Sequence, residues 1–251
     1  MTEAMEAEFG TVAEWTAEVA EDLGPDYHVP AGCRGSGSPA ALDWLIDRMG
    51  LAAGDRLLDC GAGVGGPAAY AARAGQVLPV LAEPEAGACR AARRLFGFPV
   101  VQADASRLPL ADSSFDAAWS LGVLCTTADQ IELLRELRRT VSPDGAIGLL
   151  VFVARGDISD DMTEGNHFPS PDGLRELVQD SALDVEHWLR TADLPEIPDD
   201  WNERVDAVTD ALADRYGQTE AWQLADQQSA GMGRLLKEGA ITGELLVLRR
   251  A

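Results

Sequence analysis

The chain has 251 residues and a formal charge of −22 at neutral pH, with 20 Lys and Arg set against 42 Asp and Glu. That balance argues against nucleic acid and anionic membrane surfaces, whose phosphates need arrays of cations, and favours a small neutral or cationic molecule as partner. The length allows one α/β domain with covering helices and a full core.

The stretch from Met1 through Ala20 is acidic and lacks the basic and apolar regions of a secretory signal, and no apolar run approaches membrane-spanning length. A soluble, cytoplasmic protein is the expectation. Cys33, Cys60, Cys89 and Cys125 lie far apart with no CxxC spacing, so neither a zinc site nor a disulfide framework is predicted. Reduced thiols fit the same compartment.

In chain order, Thr2–Leu23 predicts an acidic amphipathic helix, with Phe9, Val12, Trp15 and Val19 three or four residues apart. Gly24-Pro25 ends it. Tyr27–Pro39 is rich in Gly, Ser and Pro and predicts a loop, followed by a helix through Ala41–Ile46. From Arg56 onward apolar runs alternate with helical segments. Strands are expected near 56–60, 77–82, 100–103, 115–121, 146–153, 183–189 and 241–248. The intervening helices are expected near 87–96, 129–140, 171–181, 199–216 and 219–238. This βαβ rhythm implies a doubly wound, mostly parallel seven-stranded sheet with helices on both faces and a ligand site at the carboxyl ends of the first strands.

The most informative run falls at that place. Leu57-Leu58-Asp59-Cys60-Gly61-Ala62-Gly63-Val64-Gly65-Gly66 is an apolar strand ending in Asp and opening into a glycine-dense turn before a helix. Such a turn lets a ligand approach the backbone closely and face the helix N-terminal N–H groups. Gly61-x-Gly63-x-x-Gly66 alone fits a dinucleotide fingerprint. A carboxylate at Asp59 would repel a pyrophosphate, however, and suits a cationic head such as the ammonium of a methionine moiety. Glu83 follows the second strand about twenty residues past the glycines, where a carboxylate accepts hydrogen bonds from ribose hydroxyls. Asp104-Ala105 follows the third strand, where Asp accepts from an adenine amino group. Phe115–Gly122 forms a fourth strand whose end faces the ligand.

Together these features resemble the class I S-adenosylmethionine-dependent methyltransferases, of the small-molecule kind similar to the ubiquinone/menaquinone and sterol or tocopherol enzymes. The resemblance covers about 56–153, including Leu134-Arg135-Glu136-Leu137 and the Ser142-Pro143-Asp144-Gly145 turn. It implies a Rossmann-like methyltransferase fold with S-adenosylmethionine as cofactor. By it Asp59, Gly61, Ala62 and Gly63 cradle the methionine end and Glu83 holds the ribose. Asp104 and Ala105 take the adenine, and Ser120 or Leu121 faces the sulfonium. Cys60 stands where such families carry a branched aliphatic residue, and Pro84 follows the ribose carboxylate. A final antiparallel strand at Ile241–Leu248 is also implied.

The domain reading is an N-terminal helical lid over 1–50, a cofactor-binding core over 51–198, a helical insertion over 199–238 acting as a lid, and the last strand over 239–251. Two histidines are candidate general bases: His28 in the N-terminal loop, and His167 in the loop after the fifth strand, on the ligand side of the sheet. His187 reads as structural. Cys125 reads as a small buried hydrophobe. Trp15, Trp201 and Trp222 are placed in lid helices, for packing or as a wall of the pocket. No metal-ligand cluster or nucleophilic triad is apparent, and none is needed where catalysis rests on alignment and exclusion of water. The expected function is methyl transfer to a small-molecule O, N or C nucleophile. Two alternatives stand beside it: a nicotinamide-dependent oxidoreductase, opposed by Asp59, Asp104 and the lack of a Tyr-x-x-x-Lys pair, and a protein that binds S-adenosylmethionine without transfer.

Overall fold

A computed structural model describes residues 7–35, 37–156, 158 and 165–251. The chain opens with a π-helical turn, Ala7–Val12, continuous with α1 (Ala13–Leu23), and then α2 (Pro25–Gly32) and α3 (Pro39–Met49). Then come β1 (Arg56–Cys60), α4 (Gly66–Ala74), β2 (Leu78–Glu83), α5 (Ala86–Phe96), β3 (Val100–Gln102) and β4 (Phe115–Leu121). The second half holds α6 (Gln130–Thr140), β5 (Val141–Ala154), α7 (Pro171–Asp180), β6 (Leu183–Arg190), α8 (Asp199–Tyr216), α9 (Glu220–Lys237) and β7 (Ile241–Arg250).

Local chemistry marks the helix ends. Ser38 Oγ accepts from Ala41 N at 3.3 Å to start α3 behind Pro39, and Ser170 Oγ accepts from Gly173 N at 3.0 Å to start α7 behind Pro171. Thr219 caps α9 in the same way. No helix among the described residues is long and apolar enough to cross a membrane.

The seven strands form one sheet in the order β3-β2-β1-β4-β5-β7-β6. All pairs are parallel except those of β7, which runs antiparallel to both β5 and β6. The order reverses between β1 and β4, which opens a crevice above the carboxyl ends of those strands. Alternation along β1 sorts its side chains. Leu58 and Cys60 join one core with α6 and α7 residues such as Leu134 and Leu174. Leu57 joins Leu42, Leu45 and Trp119 on the opposite face.

Three expectations are revised. Tyr27–Pro39 is not all loop: Pro25 starts α2 after Gly24, and burial of Val29–Gly32 carries the helix through Pro30. The acidic N-terminal helix is described only from Ala7 and begins as a π-helical turn; residues 2–6 of that prediction lie outside the described residues. Ser142-Pro143-Asp144-Gly145 is part of β5 as an irregularity, since the register jumps from Phe115↔Val141 to Ala117↔Ala146.

The helices assigned to the lid divide between two cores. Val12, Val19 and Ala31 pack with Val208, Leu212 and Trp222, so α1, α2, α8 and α9 share one helical layer. Trp15 stacks on Tyr216 with ring centroids 4.1 Å apart. Ion pairs from Glu21 to Arg94 and from Asp22 to Arg215 link α1 to α5 and α8. By contrast α3, within the N-terminal 1–50 segment, buries Leu42, Leu45 and Met49 against the sheet.

Candidate active site

A cavity of about 450 Å³ lies above the crevice, between the strand ends and the helical layer. Gly61, Ala62 and Gly63 after β1, Glu83 at the end of β2, Leu121 at the end of β4 and Val123 just beyond it form its sheet side. Phe9, Ala13 and Thr16 from the N-terminal helical run close it from above, with Gly32 at the end of α2 and Arg34 beyond it. One face of α9 supplies the remaining wall, including Gln228 and Met232.

The glycine turn is held against β2, where Ala82 O accepts from Gly61 N at 2.8 Å and from Ala62 N at 3.2 Å. Gly61 has φ 74°, and a Cβ there would overlap the Val123 side chain. Only glycine satisfies both the backbone conformation and the close approach of the strand ends. At Gly66 a Cβ would overlap the backbone of Gly32 and Cys33, so the end of α2 rests directly on the first turn of α4. That contact seats the helical layer over the glycine turn.

Glu83 is 5% exposed. Its Oε2 accepts from Gly63 N at 2.8 Å and its Oε1 from Glu85 N at 3.0 Å. Burial pushes this carboxyl up to about 7, the two amide hydrogen bonds oppose the rise, and the Glu85 charge adds to it. A carboxylate fixed in this way at the cavity wall keeps lone pairs for the hydroxyls of a sugar.

Asp59 is buried one layer behind the loop and is not part of the cavity wall. Strand alternation turns it, with Leu57, toward Trp119, its register partner on β4. Burial pushes Asp59 up to about 7; the neighbouring Trp119 indole opposes this, the Glu83 charge adds to it, and the Ala68 amide opposes it. Trp119 Nε1 and Asp59 Oδ2 nevertheless make no hydrogen bond of normal geometry, which leaves both polar atoms orphaned in the core. Where the sequence reading has Asp59 cradling a ligand directly, the structure buries its side chain behind the glycine turn, off the cavity wall.

Three other expected positions also lie off the wall. Asp104 is exposed and turns onto Ser106, accepting from its backbone N at 2.8 Å and its hydroxyl at 2.7 Å; Ala105 is buried beside it. Ser120 is fully buried and donates to Cys60 O at 2.9 Å, a bond that joins β4 to β1. Its neighbour Leu121 does reach the cavity.

Neither candidate base lines the cavity. His28 sits in α2 with its ring edge-on to Phe96, at 6.4 Å between centroids. His167 is exposed, held through its backbone by Cys125 O and Gln130 Nε2. The preceding Glu164 lies outside the described residues. His187 packs edge-on to Trp44. Cys125 lines the cavity, but burial pushes its thiol up to about 12, so it remains protonated and unreactive at neutral pH. None of Trp15, Trp201 and Trp222 is in the wall.

Sequence reasoning missed Gln228, Arg34 and Asn166. Asn166 is buried next to the exposed His167 and donates from Nδ2 to Met232 Sδ at 3.9 Å. The only local signal for Gln228 was its helical spacing with Ala225, Ser229 and Met232, a pattern that equally describes a packed helix face.

The residues fit S-adenosylmethionine on structural grounds: a glycine turn closed to any side chain, a buried acidic atom behind it, and a fixed carboxylate at the second strand end. Residues 58–149 match the model of a methyltransferase domain. Over 123 residues the chain is 32% identical to Methyltransferase GfsG of Streptomyces halstedii, covering 46% of this chain and 44% of that protein. Over 114 residues it is 36% identical to 27-O-demethylrifamycin SV methyltransferase of Amycolatopsis mediterranei (strain S699), covering 43% and 42%. The chain thus matches less than half the length of each of these relatives. In fold it is similar to the crystal structure of the [4+2]-cyclase SpnF, with a TM-score of 0.67 and 24% identity over 86% of this chain and 83% of that one. Residues 58–149 of the chain are thus similar to a methyltransferase domain, on a fold shared with solved S-adenosylmethionine-dependent methyltransferases.

Proposed function

We propose that the protein transfers a methyl group from S-adenosylmethionine to a small molecule held in the same cavity. The observation that carries this reading is the convergence of Gly61, Ala62, Gly63 and Glu83 on one wall of a cavity whose other wall is helical and mostly apolar. S-adenosylmethionine supplies an electrophilic methyl group on its sulfonium. In this reading the amides of the glycine turn receive the methionine end, and Asp59 biases that end toward positive charge from behind. Glu83 accepts the ribose hydroxyls while its amide partners hold it in place. Leu121 and Val123 flank the reacting centre, and the helical layer excludes water and aligns the acceptor. Neither histidine is assigned a role as base.

Titration calorimetry with S-adenosylmethionine, S-adenosylhomocysteine and NADH tests this. Binding of both adenosyl ligands and not NADH is expected; binding of NADH alone would overturn the reading in favour of an oxidoreductase.

A second reading, in which the cofactor is bound and a rearrangement proceeds without methyl transfer, draws on the absence of any histidine or lysine from the described cavity wall and on the likeness in fold to a [4+2]-cyclase. Formation of S-adenosylhomocysteine during turnover of an acceptor separates the two.

A further inference from the structure

We infer that Gln228 anchors a hydroxyl group of an otherwise apolar acceptor, in the part of the cavity walled by α9. The name acceptor rests on the methyl-transfer reading; the subsite itself does not.

Gln228 is 9% exposed, lines the cavity, and its Oε1 has no hydrogen-bond partner. A buried carboxamide oxygen left without a partner is costly, and a leucine or methionine would fill the same helical position without that cost. The cost is offset when a ligand completes the hydrogen bond. Around Gln228 the same face of α9 presents Ala225, Met232 and Leu236, and Phe9, Ala13 and Phe152 stand among the other wall residues. This part of the wall solvates an aliphatic or aromatic body. A hydroxyl both donates and accepts, so it satisfies the carboxamide whichever way its oxygen and nitrogen point.

Charge recognition is the rival. Arg34 is the only cation among the described residues of the wall, and it borders a second cavity of about 260 Å³ between α8 and α9. Its guanidinium donates to Thr16 Oγ1 at 3.4 Å. Gln228 is favoured because it is the buried, unsatisfied group, whereas Arg34 is partly open to solvent.

The test uses 1-naphthol, naphthalene and 1-naphthoate as probes, measured by equilibrium dialysis against the protein loaded with S-adenosylhomocysteine. The expected result is that 1-naphthol binds about tenfold more tightly than naphthalene, as one added hydrogen bond predicts. In Gln228→Leu that preference should fall to about unity with S-adenosylhomocysteine affinity unchanged. Gln228→Met replaces it if the leucine variant does not fold. Equal binding of naphthol and naphthalene by the natural protein, no naphthol binding, a preference retained without Gln228, or tighter binding of naphthoate would each overturn the inference. Failure of S-adenosylhomocysteine to bind would instead strike the methyl-transfer reading, and the naphthol comparison on the free protein would still decide the subsite.

Discussion

Glu83 and Gly63 are joined by a 2.8 Å hydrogen bond from the Gly63 backbone N to Glu83 Oε2. The carboxylate expected to hold a ribose therefore also holds the glycine turn proposed to receive the other end of the cofactor. Two recognition elements from different strands are fixed to each other before any ligand arrives, which lowers the ordering cost of binding.

Glu83→Ala removes the ligand contacts and this tether together. Cofactor affinity should fall by roughly 1.5 to 3 kcal/mol, the scale of charge-assisted hydrogen bonds. Calorimetry on a folded variant checks it, and undiminished S-adenosylmethionine affinity would defeat the assignment.

At Gly61 a side chain meets two obstacles, the positive φ of 74° and the Val123 side chain. Gly61→Ala should cost on the order of 1–2 kcal/mol from the backbone alone, with the overlap added. Adding Val123→Ala should recover part of the urea stability and not all of it. Full recovery would show that the backbone conformation carries no cost; no recovery would show that Val123 is not the obstacle.

Asp59 and Glu83 are both raised to about 7 in the fold, from ordinary values of 3.8 and 4.5. Between those limits the native state holds protons that the unfolded chain has released. Their contribution to stability is thus present at low pH and is lost as pH rises through about 7. Asp59→Asn keeps a neutral group in place, so its urea stability should decline less than that of the natural protein from about pH 5 to about pH 8. Parallel curves would remove Asp59 from the account. Affinity for the cationic cofactor should change in the opposite sense, rising across the same interval as the carboxyls ionise.

Because neither His28 nor His167 is in the cavity wall, His28→Ala and His167→Ala should each retain turnover within about twofold, a change worth under 1 kcal/mol. The backbone bond from His167 N to Cys125 O survives the second substitution. Steady-state rates with an identified acceptor test this; a large loss of kcat in either variant would restore that histidine as a base.

Much of this molecule was written locally in its sequence. The run from Leu57 to Gly66, the carboxylate twenty residues on, and the alternation of apolar and amphipathic segments were sufficient to predict the seven strands and a cavity at their carboxyl ends, because strand period, glycine conformation and helix capping act over a few neighbouring residues. What the sequence could not determine was which of those residues face the cavity. Asp59 and Ser120 sit at the right strand ends but are turned into the core by the alternation of β1 and β4 and by their partners across the sheet. His167 is placed on the ligand side by topology, yet its neighbour Asn166 is the one that reaches the cavity. Gln228, some 140 residues beyond Glu83, joins the site only because α9 packs over the sheet. Its role depends on burial with no hydrogen-bond partner, and only the tertiary structure decides which polar groups are left so.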